Sequence, residues 1–176
     1  MKGPRNFLLI PLVVILLAIA MILAGLAALR PTAPLNPPPP SESGPCKESM
    51  GRGFAICLEA TVTRVIDGDT LVIDRDTDGD GLDDHVRLVL VDAPELSQTG
   101  GPESKAYLVS FCDGARALVD EDDFQVGADP YGRILAVVYC NGANSNAAMI
   151  ASGHATTYTR FCSASEFEHD PWTGCP

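Results

Sequence analysis

The chain has 176 residues, with 23 acidic side chains against 12 lysines and arginines and a net charge of −11. That length accommodates one domain and a targeting segment, and the charge excludes a protein that grips nucleic acid through a broad basic surface. The six cysteines contain no CxxC pair and no HExxH occurs, which argues against a zinc site.

From Phe7 to Leu29 no residue is charged, and all but Pro11 and Gly25 are apolar. As a helix those positions reach roughly 34 Å at ~1.5 Å per residue, enough to cross a bilayer. The stretch is longer than a signal-peptide core, so the expectation is an uncleaved membrane anchor, with a secreted domain if it is cut. Lys2 and Arg5 before the span place the N-terminus in the cytoplasm and the rest of the chain outside it. Pro31 to Pro45, with four consecutive prolines from Pro37, reads as an extended spacer. Ser43-Gly44-Pro45 before Cys46 does not resemble a lipidation box. All six cysteines follow the spacer, as expected for disulfides in an oxidising compartment. Spacing does not select among the connectivities; the expected pairs are Cys46–Cys57, Cys112–Cys140 and Cys162–Cys175, the last because it closes a short tail.

Ala60 to Ile66 and Leu71 to Ile73 are β-rich runs separated by the turn Asp67-Gly68-Asp69. Val86 to Val91 reads as a third strand, apolar at nearly every position except Arg87. Tyr107, Leu108, Phe111, Cys112 and Ala115 share one face of a helix beginning after Pro102. Ile134 to Tyr139 is a strand ended by Asn141-Gly142, and Asn144 to Ser152 is a short helix stopped by Gly153. The pattern predicts a mainly β domain with α, an α+β fold built on a small barrel of the OB type. The domains are residues 1–30 (anchor), 31–45 (linker) and 46–176 (barrel with a disulfide-closed tail).

Three segments carry the chemistry. Asp69 ends a tight turn, and Asp92 and Glu95 follow the end of a strand. The aspartates offer oxygen ligands to Ca²⁺, and Glu95 could orient or deprotonate a water beside it. Arg87, a permanent charge in an apolar strand, needs a partner, either a carboxylate or a phosphate. Arg133 lies just before a strand.

The order of these segments resembles the staphylococcal nuclease (thermonuclease) family. The matching stretches are Arg64 to Thr70, Val86 to Glu95, Asp129 to Ala136, and Asn146 through Gly153-His154-Ala155. The resemblance covers roughly Ala60 to Tyr158. It implies a five-stranded OB-type barrel that hydrolyses DNA and RNA with Ca²⁺ and leaves 3′-phosphate ends. It further implies Asp69 and Asp92 as calcium carboxylates, Ala93 as a backbone-carbonyl ligand and Glu95 as general base. Arg87 and Arg133 match the pair that binds the scissile phosphate, and Tyr131 matches a tyrosine near the nucleotide's terminal phosphate. The expected protein is a monomer with DNA and RNA as substrates and the membrane as its other partner. The alternative is a catalytically silent OB-type module that binds nucleic acid or calcium.

The chain departs from that pattern in two places. Leu96 to Gly101 contains no lysine where the family has a lysine-rich loop, and Pro130 replaces a lysine. Trp172 and the tail from Cys162 to Cys175 stand in place of a long basic helix and are expected to replace it in packing.

A second acidic stretch runs from Asp74 to Asp84. Counted from Asp76, acids fall at positions 1, 3 and 5 of an EF-hand loop and a glycine at 6, but position 12 is Arg87. A full EF-hand is therefore excluded. Asp76, Asp78, Asp80 and Asp84 form a candidate for a smaller second calcium site at an enlarged hairpin tip. His85, His154 and His169 have no metal-ligand partner at helical spacing.

Overall fold

A computed structural model of the chain describes residues 46–47, 55–127 and 129–176. The expected anchor Phe7–Leu29 and the proline-rich spacer lie outside them. Among the described residues no helix is long and apolar enough to cross a membrane.

Five strands close into a barrel. The long β1 (Cys57–Val65) pairs antiparallel with β2 (Thr70–Ile73) and with β5 (Arg116–Glu121). From β2 the sheet continues to β3 (Asp84–Leu88), which pairs in parallel with β6 (Ile134–Cys140); β6 returns antiparallel to β5. A register shift between Val62 and Arg64 marks a bulge in β1. Such an irregularity bends a strand, which lets β1 serve two neighbours around a tight barrel. Val62, Leu71, Ile73, Val86, Leu88, Val119 and Val138 fill the interior and are fully buried. This is the expected α+β barrel of the OB type.

β5 was not legible in the sequence. Its run Arg116-Ala-Leu-Val-Asp-Glu121 carries charge at both ends, yet every position from Leu118 onward is at least half-buried. The expected strand Val86 to Val91 also breaks in two. β3 stops at Leu88, and Leu90 takes a positive φ of 58° before β4 (Val91–Asp92). Left-handed backbone is costly for a branched-chain residue. Here Val89 and Leu90 turn into a second core with Val137 and Phe167, against which Leu135, Tyr139 and Trp172 pack. The turn therefore gains apolar burial, and beyond it Asp92 and Glu95 are exposed while Ala93 stays buried.

Buried Asn146 fixes that turn to the barrel. Its side-chain amide donates to the Val89 and Ala136 carbonyls at 2.9 and 3.1 Å and accepts from the Val138 N–H at 3.1 Å. Asn146 lies on α2 (Ser145–Ala151), whose N-cap Asn144 accepts from the Ala147 N–H. Asn144 also ends β7 (Ala143–Asn144), and β8 (Thr156–Thr157) pairs with β4. α1 (Gly101–Cys112) buries Leu108, Phe111 and Cys112 against the barrel. Its first residue must be glycine, because a Cβ at Gly101 would fall on the Glu95 carbonyl. Ala115, expected on the helix face, lies beyond its end but is buried in the same core.

The disulfides are Cys46–Cys57, Cys112–Cys140 and Cys162–Cys175, the expected pairs. The last closes the tail after a short 3-10 helix, Thr159–Ala164. Trp172 donates to Asp170 at 3.1 Å and its ring lies 6.5 Å from that of Phe167, so it serves packing, as expected.

Where the tail meets β5, carboxylates crowd together. Asp120, Glu121, Asp122 and Asp123 are all buried. The Glu166 carboxylate accepts from the Asp123 N–H at 3.0 Å, while its second oxygen is buried without a partner among the described residues. Burial first, then repulsion from Asp123, Asp120 and Asp122, pushes Glu166 up to about 7. A carboxyl raised on folding imposes no penalty below its unfolded value near 4.5 and its full penalty above about 7, so stability falls as pH rises through that window. Glu166→Gln is expected to melt within a degree of the parent at pH 4 and roughly 3–6 °C above it at pH 8, read by thermal unfolding. Equal melting temperatures at pH 8 would contradict this account of the cluster.

Candidate active site

The turn after β1 begins the site. The Ile66 N–H donates to the Thr70 carbonyl at 2.8 Å, and the Asp67 side chain accepts from the Asp69 N–H at 3.0 Å. This short Asx-type turn directs the Asp69 carboxylate inward. Asp69 is 3% exposed; its Oδ2 accepts from the Ala93 N–H at 2.9 Å, and its Oδ1 is paired with Arg87 Nη1. Burial, only partly offset by Arg87 and the Ala93 N–H, pushes the Asp69 carboxyl up to about 7.

Arg87 sits on β3 opposite Thr70 of β2 and Leu135 of β6. Its other Nη donates to the Val91 carbonyl at 3.0 Å and lies 3.9 Å from the Asp92 carboxylate. Of the two partners left open for Arg87, a carboxylate is the one the structure shows, and the guanidinium stands at the wall of an open pocket. That pocket, of about 560 Å³, is lined by Arg87, Asp92, Glu95, Asp129, Tyr131 and Arg133 among others. Tyr131 is 81% exposed. Glu95 is exposed, and its carboxylate makes no hydrogen bond or ion pair among the described residues. Its backbone is held by Gln98, whose N–H donates to the Glu95 carbonyl at 2.8 Å and whose side-chain oxygen accepts from the Glu95 N–H at 3.1 Å.

The structure thus brings Arg87, Asp92, Glu95, Tyr131 and Arg133 to one pocket. Asp69 lies beneath it, joined through Arg87, and Ala93 meets Asp69 through its N–H. Sequence reasoning missed Asp67, Asp129, Tyr158 and Phe161, which also line the pocket. The signal available for Asp129 was its place at the head of the matching stretch Asp129 to Ala136.

The donor set around Arg87 is all oxygen, which suits a hard cation such as Ca²⁺ or Mg²⁺ rather than a thiophilic one. Asp67, Asp69, Asp92, Glu95 and Asp129 outnumber Arg87 and Arg133, so the pocket has negative charge for a cation to offset. Among the described residues, the group of carboxylates whose oxygens lie within 4.8 Å of one another is Asp76, Asp78 and Asp80, all exposed. These carboxylates cap N–H groups of their own loop, Asp76 accepting from Gly79 at 2.7 Å and Gly81 at 2.9 Å. Asp84 starts β3 and accepts from the Thr77 N–H at 2.8 Å, apart from that group.

An OB-type barrel that gathers two arginines, an exposed glutamate and aspartates at one edge defines a class of acid-and-arginine pocket suited to a phosphate ester. The model of the family described as "Staphylococcal nuclease homologue" matches residues 85–172. A thermonuclease from Staphylococcus hyicus is 31% identical over 123 residues, covering 65% of this chain and 68% of its own. Protein ParB from Escherichia coli is 37% identical over 110 residues, 57% of this chain and 58% of ParB. An uncharacterized endonuclease from Haemophilus influenzae is 36% identical over 113 residues, 62% of this chain and 54% of its own. The chain belongs to the staphylococcal nuclease homologue family. It spans a little over half the length of the latter two relatives.

Proposed function

We propose that the chain is a nuclease that hydrolyses phosphodiester bonds of DNA and RNA with Ca²⁺, leaving 3′-phosphate ends. The observation that carries this reading is an exposed Glu95, unpaired among the described residues, in the same pocket as two arginines, on a chain of this family. Glu95 takes the proton of a water as the water oxygen bonds to phosphorus. The bond to the 5′ oxygen breaks, and that oxygen takes up a proton from solvent. Arg87 and Arg133 offset the charge that builds on the phosphoryl oxygens. Asp69, Asp92 and the Ala93 carbonyl would hold the cation, which when bound supplies Lewis-acid stabilisation of that charge. Tyr131 flanks the bound nucleotide.

The test is end-group chemistry on digested single-stranded DNA. Products that a polymerase extends only after phosphatase treatment support the reading, and directly extendable products contradict it. One observation favours the alternative, a silent binding module: both arginines are paired with carboxylates of the chain itself. Absence of any cleavage would decide for that module.

The aspartate loop is read as a second, structural calcium site formed by Asp76, Asp78 and Asp80, with Asp84 at its border. Exposed sites of this kind bind weakly, at about 10⁻⁴–10⁻³ M. Asp76→Asn/Asp78→Asn is expected to abolish a calcium-induced rise in melting temperature at about 5 mM ion while leaving cleavage unchanged. An undiminished rise would remove the site. We read the domain as lying outside the cytoplasm, held to the membrane by Phe7–Leu29, because that run is uncharged and long enough to cross a bilayer as a helix.

A further inference from the structure

We propose that Asp129 is the positioning residue that sets the guanidinium of Arg133 for phosphate; the proposal rests on the nuclease reading, which gives Asp129 no role. Asp129 heads the turn that carries Tyr131 and Arg133. Its Oδ2 accepts from the backbone N–H groups of Tyr131 and Arg133, both at 3.1 Å, so the carboxylate shapes the turn. The same carboxylate accepts from Arg133 Nε at 3.0 Å and Nη2 at 2.9 Å, a two-pronged pair. The Asp129 side chain is 7% exposed and that of Arg133 is 21% exposed, so water competes little for the contact.

Two further contacts complete the clamp. The Tyr131 ring centroid lies 5.1 Å from the guanidinium carbon, covering one face. Arg133 Nη1 approaches the Thr70 hydroxyl at 3.3 Å, and that hydroxyl donates to Asp69 Oδ1 at 3.2 Å. A hydrogen-bonded chain thus runs from Asp129 through Arg133 and Thr70 to Asp69 and Arg87.

A guanidinium has five N–H groups. Asp129 takes one on Nε and one on Nη2, and Thr70 takes one on Nη1, which leaves one on each Nη. With Asp129 on the side edge formed by Nε and Nη2, the second Nη2 N–H lies on the end edge of the fork, open to a phosphate oxygen. Burial would raise the Asp129 carboxyl, but hydrogen bonds and charge from Arg133 prevail and hold it below the ordinary value. It therefore stays ionised and keeps its hold on the fork. Without it the long arginine stem regains its rotamers and the end edge loses its direction.

The test compares four full-length variants: Asp129→Ala, Asp129→Asn, Arg133→Ala and the double alanine. Asp129→Ala is expected to lower kcat and kcat/KM together by ~10–100-fold, the mark of an interaction made in the transition state. Asp129→Asn keeps an oxygen for the two backbone N–H groups, so it retains the melting temperature while still losing turnover. In the Arg133→Ala background the second alanine is expected to change turnover by less than about twofold, because the effect runs through Arg133. Independently of cleavage, the Nε–H nuclear magnetic resonance signal of Arg133, whose acceptor is the same Oδ2 that holds the two backbone N–H groups, is expected to be shifted and protected in the parent and to join the exposed arginines in Asp129→Ala. A chain that cleaves nothing would sink the nuclease reading, and the Nε–H signal would still decide the role of Asp129. An unchanged signal, parental turnover in Asp129→Ala, or additive losses in the double variant would each overturn the proposal.

Discussion

Glu95→Gln is expected to lower turnover by about 10²–10⁴-fold while the melting temperature stays within a degree or two of the parent. The substitution keeps size and removes the basic oxygen, so it deletes proton transfer and little else. Geometry supports the small effect on stability. Glu95 is exposed, and its side chain makes no hydrogen bond or ion pair among the described residues. The contacts that fix its position are backbone ones, to Gln98 and to the start of α1 at Gly101, and glutamine leaves them in place. Initial rates on single-stranded DNA, with a melting curve on the same sample, check both halves. Parental rates would remove Glu95 as the base.

Arg87→Ala is expected to have the second large effect, and to act on stability as well as on rate. Loss of a charge donor aimed at the reacting phosphate costs about 10²–10³-fold in turnover. The substitution also strands Asp69, which is 3% exposed and paired with Arg87. Because burial already raises the Asp69 carboxyl to about 7, it can take up a proton when Arg87 is removed, which holds the loss near neutral pH to roughly 1 kcal/mol. The melting temperature in chelator should fall by about 4 °C. Calcium should restore part of that loss, because a cation near Asp69 and Asp92 would replace the missing charge. Arg87→Lys separates the two roles: it keeps a positive charge for Asp69 but loses the two-pronged geometry. It should melt close to the parent and still cleave slowly. Arg87→Lys with full turnover would show that only charge matters at that position.

Most of the barrel was legible because its strands carry their own signal. Ala60 to Ile66, Leu71 to Ile73 and Ile134 to Tyr139 are rich in β-branched residues bounded by turn formers, and each appears within a few residues of its expected limits. β5 was not legible, since Arg116, Asp120 and Glu121 break the apolar pattern. Those acids are tolerated because partners on other segments satisfy them: the Lys47 N–H donates to Asp120 and the Ile56 N–H to Glu121. The break at Leu90 was hidden for the opposite reason. Its run is apolar throughout, and only the second core, built from the distant Phe167 and Trp172, explains why it turns.

The site was legible as residue types and order, and less so as contacts. Arg87, Asp92, Glu95, Tyr131 and Arg133 line one pocket. No local pattern told that Asp69 would lie beneath the pocket, engaged by Arg87 and the Ala93 N–H. Nor could sequence show that the Thr70 hydroxyl links Arg133 to Asp69, and through Asp69 to Arg87. Both are products of the closure of β2, β3 and β6, which places Thr70 beside Arg87 and Arg87 beside Leu135.

The central claim is one calcium-dependent site that cleaves a phosphodiester. It is tested most directly by incubating the full chain with single-stranded DNA and with RNA, in about 5 mM calcium and in chelator. Degradation of both polymers in calcium, its loss in chelator and its return on adding calcium back are the predicted results. Intact polymers in calcium, or equal degradation in chelator, would contradict the account.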